Sequence, residues 1–340
     1  MANPCEKAHE FSTIPEVFGP ENLPKTSIFR ATIPAIVADS HPDAAEHFAE
    51  FFVATIRNPN TRSAYIHAIA DFLRWQGIEG LHSLHDIRPM HVAAYIEQAG
   101  ERVATQTVKQ RLAAVKGMFD WLVRKGVMSS NPAQSVRGPS YETARGKTPI
   151  LSAKEAKQLL DSIPGTSVVD LRDKALIALM TYSFARISAA ISMNVEDIIQ
   201  TAGRSWVRLH EKRGKLHELP IHHKLLDHLD AYMAAGQLTA SLKSPLFQSA
   251  KGRGGQLSGN RLSRHDAYAM IRRRAAAAGI TARIGNHSFR GTGITAFLQN
   301  DGSLEMAQEM ANHASPKTTK LYDRRNDQIT QDAIERIRIE

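Results

Sequence analysis

The last quarter of the chain carries Asn286-His287-Ser288-Phe289-Arg290-Gly291-Thr292, then Asn312-His313, then Tyr322. A second histidine follows Arg290 by 23 residues, and the tyrosine follows that histidine by 9. If the first stretch opens a helix, His287 and Arg290 lie on one face, and the amides of the helix N-terminus beside them favour an anion. With one isolated arginine and one lysine upstream, the spacing points to a tyrosine nucleophile working on a phosphodiester. By itself, Tyr322 would read as an ordinary core or surface ring.

Composition narrows the setting. A chain of 340 residues exceeds the usual single domain, so two domains are expected. A hydrophobic share of 42% supplies a packed core, and 43 Lys and Arg against 34 Asp and Glu leave a net charge of +9. That excess points toward nucleic acid or an anionic membrane surface. No apolar run is long enough to span a bilayer. The N-terminus has Glu6, Lys7 and Glu10 but no apolar segment of a secretory signal. The single cysteine, Cys5, permits neither an intramolecular disulfide nor a cysteine metal site, which fits a reducing cytoplasm. His222-His223 and the pair His287 and His313 lack a metalloprotease spacing and an adjacent carboxylate pair, so no metal is expected. Lys251-Gly252-Arg253-Gly254-Gly255 reads as a mobile loop; without the Lys-Ser/Thr ending of a P-loop it predicts no nucleotide site.

Periodicity divides the chain. Residues 1–44 are rich in proline and polar residues and read as a mobile N-terminal segment. Residues 45–130 read as helices throughout. One runs from Ala44 to Ile56, and a second opens with Asn60 or Thr61 as cap and buries Tyr65, Ile69, Phe72 and Leu73. A third follows Asp86-Ile87-Arg88-Pro89, and Thr105–Val123 carries the stripe Val108, Leu112, Val115, Phe119, Leu122. The opposite face of that last helix holds Gln106, Lys109, Gln110 and Lys116, side chains long enough to reach DNA. Residues 131–150, with Arg137-Gly138-Pro139 and Gly146-Lys147-Thr148-Pro149, read as an exposed basic linker. Ser152-x-x-Glu155 is a capping box that opens a new domain over residues 151–326. There, helices from Leu171 onward alternate with short strands, Trp206–His210 and His217–Ile221 around the charged turn Glu211–Leu216. Residues 327–340 place Ile329, Ala333, Ile334 and Ile337 on one face of a tail helix. The expected fold is mainly α with a small antiparallel β-sheet.

Transfer at a phosphodiester needs a nucleophile, an acid for the leaving oxygen and cations for the equatorial oxygens. Arginine suits the last task because its planar fork meets two phosphate oxygens and keeps its proton. Arg186 follows an apolar helix and is either paired in the interior or aimed into a site. Lys212, on the strand turn, is either solvated or placed to protonate a leaving oxygen, and Lys215 competes for that role. A free tyrosine ionises near pH 10, so roughly one in a thousand is ionised at neutral pH, and Tyr322 needs a base and cations. His287, Arg290 and His313 could supply them.

Together these stretches resemble the tyrosine recombinases, the phage integrase family. The resemblance rests on Thr181-Tyr182-Ser183-Phe184-Ala185-Arg186-Ile187-Ser188, on Lys212-x-Gly214-Lys215 with Pro220 eight residues past Lys212, and on His287-x-x-Arg290-Gly291-Thr292. It extends to Met310-Ala311-Asn312-His313-Ala314-Ser315 and Thr318-Thr319-x-x-Tyr322, and covers about residues 45–325. The resemblance implies a helical, SAM-like core-binding domain followed by a mixed α/β catalytic domain. It implies that Tyr322 forms a 3′-phosphotyrosyl link, that Arg186, Arg290 and His313 hold the non-bridging oxygens, that Lys212 protonates the leaving oxygen and that His287 assists at the tyrosine. It implies no cofactor, no metal and no ATP. The expected partners are double-stranded DNA with inverted-repeat half-sites, further copies of the chain in a tetramer on that DNA, and in some cases an accessory directionality protein. In such assemblies the C-terminal helix docks on a neighbouring protomer, a role open to residues 327–340.

Three positions depart from the family pattern. The usual glycine-leucine pair before the first arginine is Phe184-Ala185, the acidic residue common three positions after it is Ala189, and the usual Leu-Gly-His is Ala311-Asn312-His313. Two rival readings share the features: a DNA-binding accessory protein without chemistry, and a type IB topoisomerase. Integration, excision and resolution of a mobile element or replicon are not separated by sequence.

Overall fold

The computed structural model describes residues 33–140, 148–201, 203–211, 214–252 and 255–323. The chain divides into two compact units, 1–142 and 143–340.

The first unit is a helical bundle built from α1 (Ala35–Ala38), α2 (Ala44–Glu50), α3 (Pro59–Leu73), α4 (Pro89–Arg102) and α5 (Thr105–Arg124). Helix α3 starts earlier than its periodicity suggests: Asn58 is the cap, its Oδ1 accepting from the amides of Asn60 and Thr61 at 2.9 and 3.2 Å, with Pro59 at the first helical position. The helix expected over Ala44–Ile56 is α2 followed by a wider, π-helical turn, Phe51–Thr55. That turn brings the adjacent Phe51 and Phe52 both into the core, their rings 5.0 Å apart. Around Phe72 the core is aromatic, with Tyr95 and Phe119 edge-on at 5.0 and 6.2 Å. The α5 stripe is buried from Val108 to Leu122, and Gln106, Lys109 and Gln110 are exposed on the other side.

Both ends of this unit differ from the sequence boundaries. Ile33, Val37 and Ala44 are buried in the bundle core, and Ser40 Oγ accepts from the Leu84 amide at 2.6 Å, so the N-terminal segment joins the fold well before residue 44. Beyond residue 130, Asn131 Nδ2 donates to the Lys116 carbonyl and to Asp120 Oδ1, and Ala133 and Val136 are buried in the same core. The stretch expected as linker from residue 131 therefore belongs to the bundle through Val136.

The second unit follows the expected capping box: Ser152 and Glu155 cap α6 (Ala153–Ser162) reciprocally. Next come α7 (Val168–Tyr182) and α8 (Ile187–Ser192), then β1 (Ile198–Thr201), β2 (Arg204–His210) and β3 (Leu216–Pro220). The three strands form one antiparallel sheet in sequence order, with Val207 opposite both Ile198 and Leu219. After α9 (His223–Ala235), the chain forms a second hairpin, β4 (Gln248–Lys251) and β5 (Gln256–Arg261). The sequence reading made Lys251–Gly255 a mobile loop, but Lys251 pairs with Gln256. The strands escaped notice because Gln248-Ser249-Ala250-Lys251 and Gln256–Arg261 have no apolar alternation, and periodicity is the strand signal. Helices α10 (Arg264–Ala277), α11 (Ser288–Gln299), α12 (Leu304–Met310) and α13 (Pro316–Lys320) complete the unit.

Two features hold the frame of the site. The carboxylate of Asp173, fully buried on α7, accepts from Arg172 at 2.6 Å and from Arg274 on α10 at 2.8 and 2.9 Å, so the interior anion is paired as burial requires. Helix α11 is central, with every residue from Ser288 to Thr295 buried. Lys212 and the tail helix expected over residues 327–340 lie outside the described residues.

Candidate active site

The site forms where α11 begins. His287 caps that helix and Arg290 lies one turn inside it. The Arg290 side chain is 1% exposed, an extreme burial for a guanidinium. One terminal nitrogen donates to the carbonyl of Phe184, and the other donates to the carbonyl of Ala311 at 2.5 Å. Its Nε is buried and has no hydrogen-bond partner among the described residues.

Both carbonyls come from helix ends turned in the same way. Phe184 follows the C-cap of α7 with φ of 53°, and Asn312 follows the C-cap of α12 with φ of 46°. A left-handed residue just past a helix is normally glycine, because a Cβ is strained there. These are the two places where the family pattern has glycine and this chain has Phe and Asn. Asparagine tolerates the conformation. Phenylalanine does not, and its strain is offset by packing: Phe184 is buried with Ile294, Leu298 and Tyr322, and its ring lies edge-on to Phe297 at 6.1 Å. Gly293 makes the room, since a Cβ there would sit 2.8 Å from the Phe184 ring and 2.0 Å from the Thr181 carbonyl oxygen.

Tyr322, just beyond α13, is 7% exposed. Its hydroxyl lies 2.9 Å from His287 Nε2. Thr295 Oγ1 donates to the Tyr322 carbonyl at 3.1 Å, and the Tyr322 amide donates to the Thr319 carbonyl at 2.9 Å. The ring passes over Gly291, where a Cβ would stand 3.1 Å from it. His313 lies parallel to the tyrosine ring, centroids 6.2 Å apart, with Nδ1 2.9 Å from Thr319 Oγ1. Arg186 opens α8 half-buried, and its guanidinium donates to Glu211 Oε2 at 2.7 Å. The sequence left Arg186 either paired or aimed into a site; it is paired and still partly exposed.

The electrostatics follow from two cations close to little solvent. Burial first, then the Arg290, Arg186 and His287 charges, push His313 down to about 3, so this imidazole is neutral at neutral pH. His287 keeps exposed surface, yet burial of the ring first and the Arg290 and Arg186 charges second hold it below the ordinary histidine value. Arg290 falls to about 10 through burial and then the like charge of Arg186. Tyr322 is raised by burial, which outweighs the lowering by Arg290 and Arg186. A protonated phenol thus faces a neutral imidazole nitrogen, beside two guanidinium groups.

Five of the six expected catalytic residues are therefore brought together: Arg186, His287, Arg290, His313 and Tyr322. The sixth, Lys212, is not described. Lys215, its competitor, is exposed and donates from Nζ to Asn312 Oδ1 at 2.8 Å, next to His313. Gln106, Lys109 and Gln110 belong to the first unit and are exposed on α5. Lys116, on the same helix, turns back to donate to the Gln134 carbonyl at 3.2 Å. The sequence reading missed Glu211 and Thr295, gave Thr319 no role beyond its place in the matching stretch, and read Glu211 only as one charge of a charged turn. Among the described residues, no group of three or more His, Cys, Asp or Glu side chains gathers as a metal site.

The chain matches the phage integrase family over residues 149–328 and the phage integrase N-terminal SAM-like domain over residues 45–126. Tyrosine recombinase XerD of Mycobacterium leprae (strain TN) is 30% identical over 275 residues, covering 77% of this chain and 86% of that protein. Tyrosine recombinase XerC of Ralstonia pickettii (strain 12J) is 26% identical over 300 residues, 83% of this chain and 89% of that one. Among solved structures, a lambda integrase tetramer bound to a Holliday junction superposes with a TM-score of 0.65 at 15% identity, covering 84% of this chain and 79% of that chain. The XerH site-specific recombinase in a post-cleavage complex with palindromic difH gives a TM-score of 0.64 at 19% identity, with 77% and 75% covered. These two likenesses are of fold.

Proposed function

This chain belongs to the phage integrase family, the tyrosine recombinases, and from that premise we propose that it is a site-specific DNA recombinase working through a 3′-phosphotyrosyl intermediate. The observation that carries the reading is the 2.9 Å contact between the Tyr322 hydroxyl and His287 Nε2. It gives a buried, protonated nucleophile a neutral base within hydrogen-bond reach.

In the proposed reaction the Tyr322 oxygen attacks the scissile phosphorus as its proton passes to His287 Nε2. The bond from phosphorus to the 5′ oxygen breaks, and that oxygen takes a proton from Lys212. The charge developing on the non-bridging oxygens is met by Arg186 and Arg290, with His313 beside them. A phosphate oxygen is the acceptor that the unpartnered Nε–H of Arg290 lacks. Rejoining reverses the steps with the 5′ hydroxyl of a second strand. The phosphotyrosyl bond keeps the energy of the phosphodiester, so the exchange consumes no ATP. Lys212 takes its role from its distance to Pro220 in the sequence, and Lys215 is placed to steady the loop through Asn312.

The proposed partners are double-stranded DNA with inverted-repeat half-sites and further copies of the chain, four on two sites, with an accessory directionality protein where the outcome is regulated. Gln106, Lys109 and Gln110 are the proposed DNA contacts of the helical unit. The basic excess and the absence of a membrane-crossing helix among the described residues fit work on DNA in the cytoplasm. Integration, excision and resolution all use this chemistry.

A DNA substrate nicked near the cleavage point traps the covalent adduct. The wild type should form it, and Tyr322→Phe should keep specific DNA binding and lose it. No adduct from the wild type would leave an accessory DNA-binding protein, and an adduct from Tyr322→Phe would move the nucleophile elsewhere. Relaxation of supercoiled plasmids without any preferred site would favour a topoisomerase.

A further inference from the structure

The two site arginines are held in different ways. Arg290 is locked by two main-chain carbonyls at helix ends, inside the core. Arg186 starts a short helix at the edge of the unit, with 30% of its side chain exposed. The hydrogen bond that holds its guanidinium goes to one carboxylate, Glu211 Oε2, at 2.7 Å.

That carboxylate is built into place. The Glu211 side chain is 5% exposed. It stands one residue past β2, whose Val207 and Leu209 are buried and whose last pair is His210 opposite Leu216. Its amide donates to the Lys215 carbonyl at 2.8 Å, closing the strand turn, and the preceding His210 Nε2 lies 2.9 Å from the buried Asp197. Backbone and side chain are both fixed, so the carboxylate presents one direction to Arg186. The alternative source on α8 is absent: Ala189, one turn beyond Arg186, is buried and apolar.

We propose that Glu211 is a positioning residue for the reaction, holding the Arg186 guanidinium in the orientation that receives the scissile phosphate. This rests on the recombinase reading and deepens it. A guanidinium has five N–H donors in a rigid fork. A carboxylate on one terminal nitrogen leaves further donors for a phosphate oxygen and removes the rotamer search that a long, half-exposed side chain would otherwise make. It also gives the two like charges of the site a counter-ion, which keeps Arg186 from swinging away from Arg290.

The test is a double-mutant cycle on single-turnover adduct formation with the nicked substrate. Glu211→Gln, which keeps shape and loses charge, should slow cleavage about ten- to a hundredfold, the size seen when metal-ligating side chains lose the partner that orients them. DNA affinity and melting temperature should stay at the wild-type values. In an Arg186→Ala background the same change should slow cleavage less than about threefold, because a residue that acts through Arg186 has nothing left to position. Wild-type cleavage by Glu211→Gln, or an equal loss with and without Arg186, overturns the proposal. If Glu211→Gln melts well below the wild type, Glu211→Asp carries the cycle instead; it keeps the charge but withdraws it by one methylene, and an intermediate loss confined to the Arg186 background is expected. Failure of the wild type itself to form the adduct would sink the recombinase reading and this proposal with it, whereas wild-type cleavage by Glu211→Gln sinks this proposal alone.

Discussion

The helical unit and the unit that follows it use their polar side chains in opposite ways. On α5 of the first, Gln106, Lys109 and Gln110 stand exposed, opposite a buried apolar stripe that positions the helix. In the second, Arg290, His313 and Tyr322 are nearly as buried as the core, and each is tied to a named partner: the Phe184 and Ala311 carbonyls, Thr319 and His287. A surface that meets DNA needs only reach and charge. A site that moves a phosphoryl group needs fixed geometry, and burial with hydrogen bonds supplies it.

The comparison breaks most directly at the arginines. Arg290→Ala should slow adduct formation by two to three powers of ten, roughly 2.7–4 kcal/mol, as for loss of one charge-stabilising donor. It should also lower the melting temperature, because the Phe184 and Ala311 carbonyls lose their donor, at about 1–3 kcal/mol for each buried group left unpaired. Arg186→Ala should slow cleavage similarly and also destabilise, by about 1–3 kcal/mol, because the buried Glu211 carboxylate loses its cation; pairing it with Glu211→Gln should recover part of that loss without restoring cleavage. A wild-type melting temperature for Arg290→Ala would mean that Arg290 is not a structural member of its unit.

Gly291→Ala comes next. The new Cβ would sit 2.7 Å from Ile150 Cγ2 and 3.1 Å from Tyr322 Cε1. Overpacking of this kind costs about 1–3 kcal/mol, and the displaced ring should lose about tenfold or more in cleavage, since a misplacement near 1 Å can cost a hundredfold. Stopped adduct time courses with unchanged DNA affinity would check it. A wild-type rate would show that the tyrosine is mobile enough to ignore its seat.

The same contrast explains what could be read from the chain. The residues of the candidate site were legible through the family resemblance, which ties a phenol, two guanidiniums and two imidazoles to set places in the chain, and chemistry says why those types suit a phosphodiester. Helix α7 was legible as an apolar stretch long enough to be a buried helix. Glu211 was not, because a glutamate at a strand turn is usually solvated, and only the closing of β2 on β3 turns it inward toward Arg186. The left-handed conformation of Phe184 is hidden for a related reason. Its type argues against a left-handed helix end, and the compensation comes from Gly293 and Phe297, more than a hundred residues away. The hairpin β4–β5 was hidden because its strands are polar and lack an alternating stripe.

Burial also makes the second unit acid-sensitive. His313 is held at about 3 in the fold, whereas an unfolded histidine titrates near 6.5. Below roughly pH 6.5 the unfolded chain gains a proton that the native chain refuses, so the stabilisation present above that pH is lost as the pH falls toward 3. The slope for one histidine is about 1.4 kcal/mol per pH unit, and His287, also lowered, adds in the same direction. Denaturant midpoints measured from pH 7 to pH 5 should fall, and His313→Gln should flatten the dependence by about one proton. A profile unchanged by that substitution would place the acid sensitivity in other groups.

The smallest expected effect tests the other half of the comparison. If α5 meets DNA through charge and reach alone, Lys109→Ala should weaken binding by a similar factor on every sequence and reduce the log–log salt slope by about 0.9, the value for one lost phosphate contact on duplex DNA. Gln110→Ala should instead change preference among sites, by about 1–3 kcal/mol if its amide reads a base edge. Neither substitution should alter the adduct rate once DNA is saturating, because neither side chain belongs to the buried constellation around Tyr322. An unchanged salt slope for Lys109→Ala would remove this face from the phosphate backbone. A slower saturated rate would be more damaging, since it would mean that the exposed helix face helps set the geometry of the buried site, and the division between a surface that reaches and a core that aligns would no longer hold.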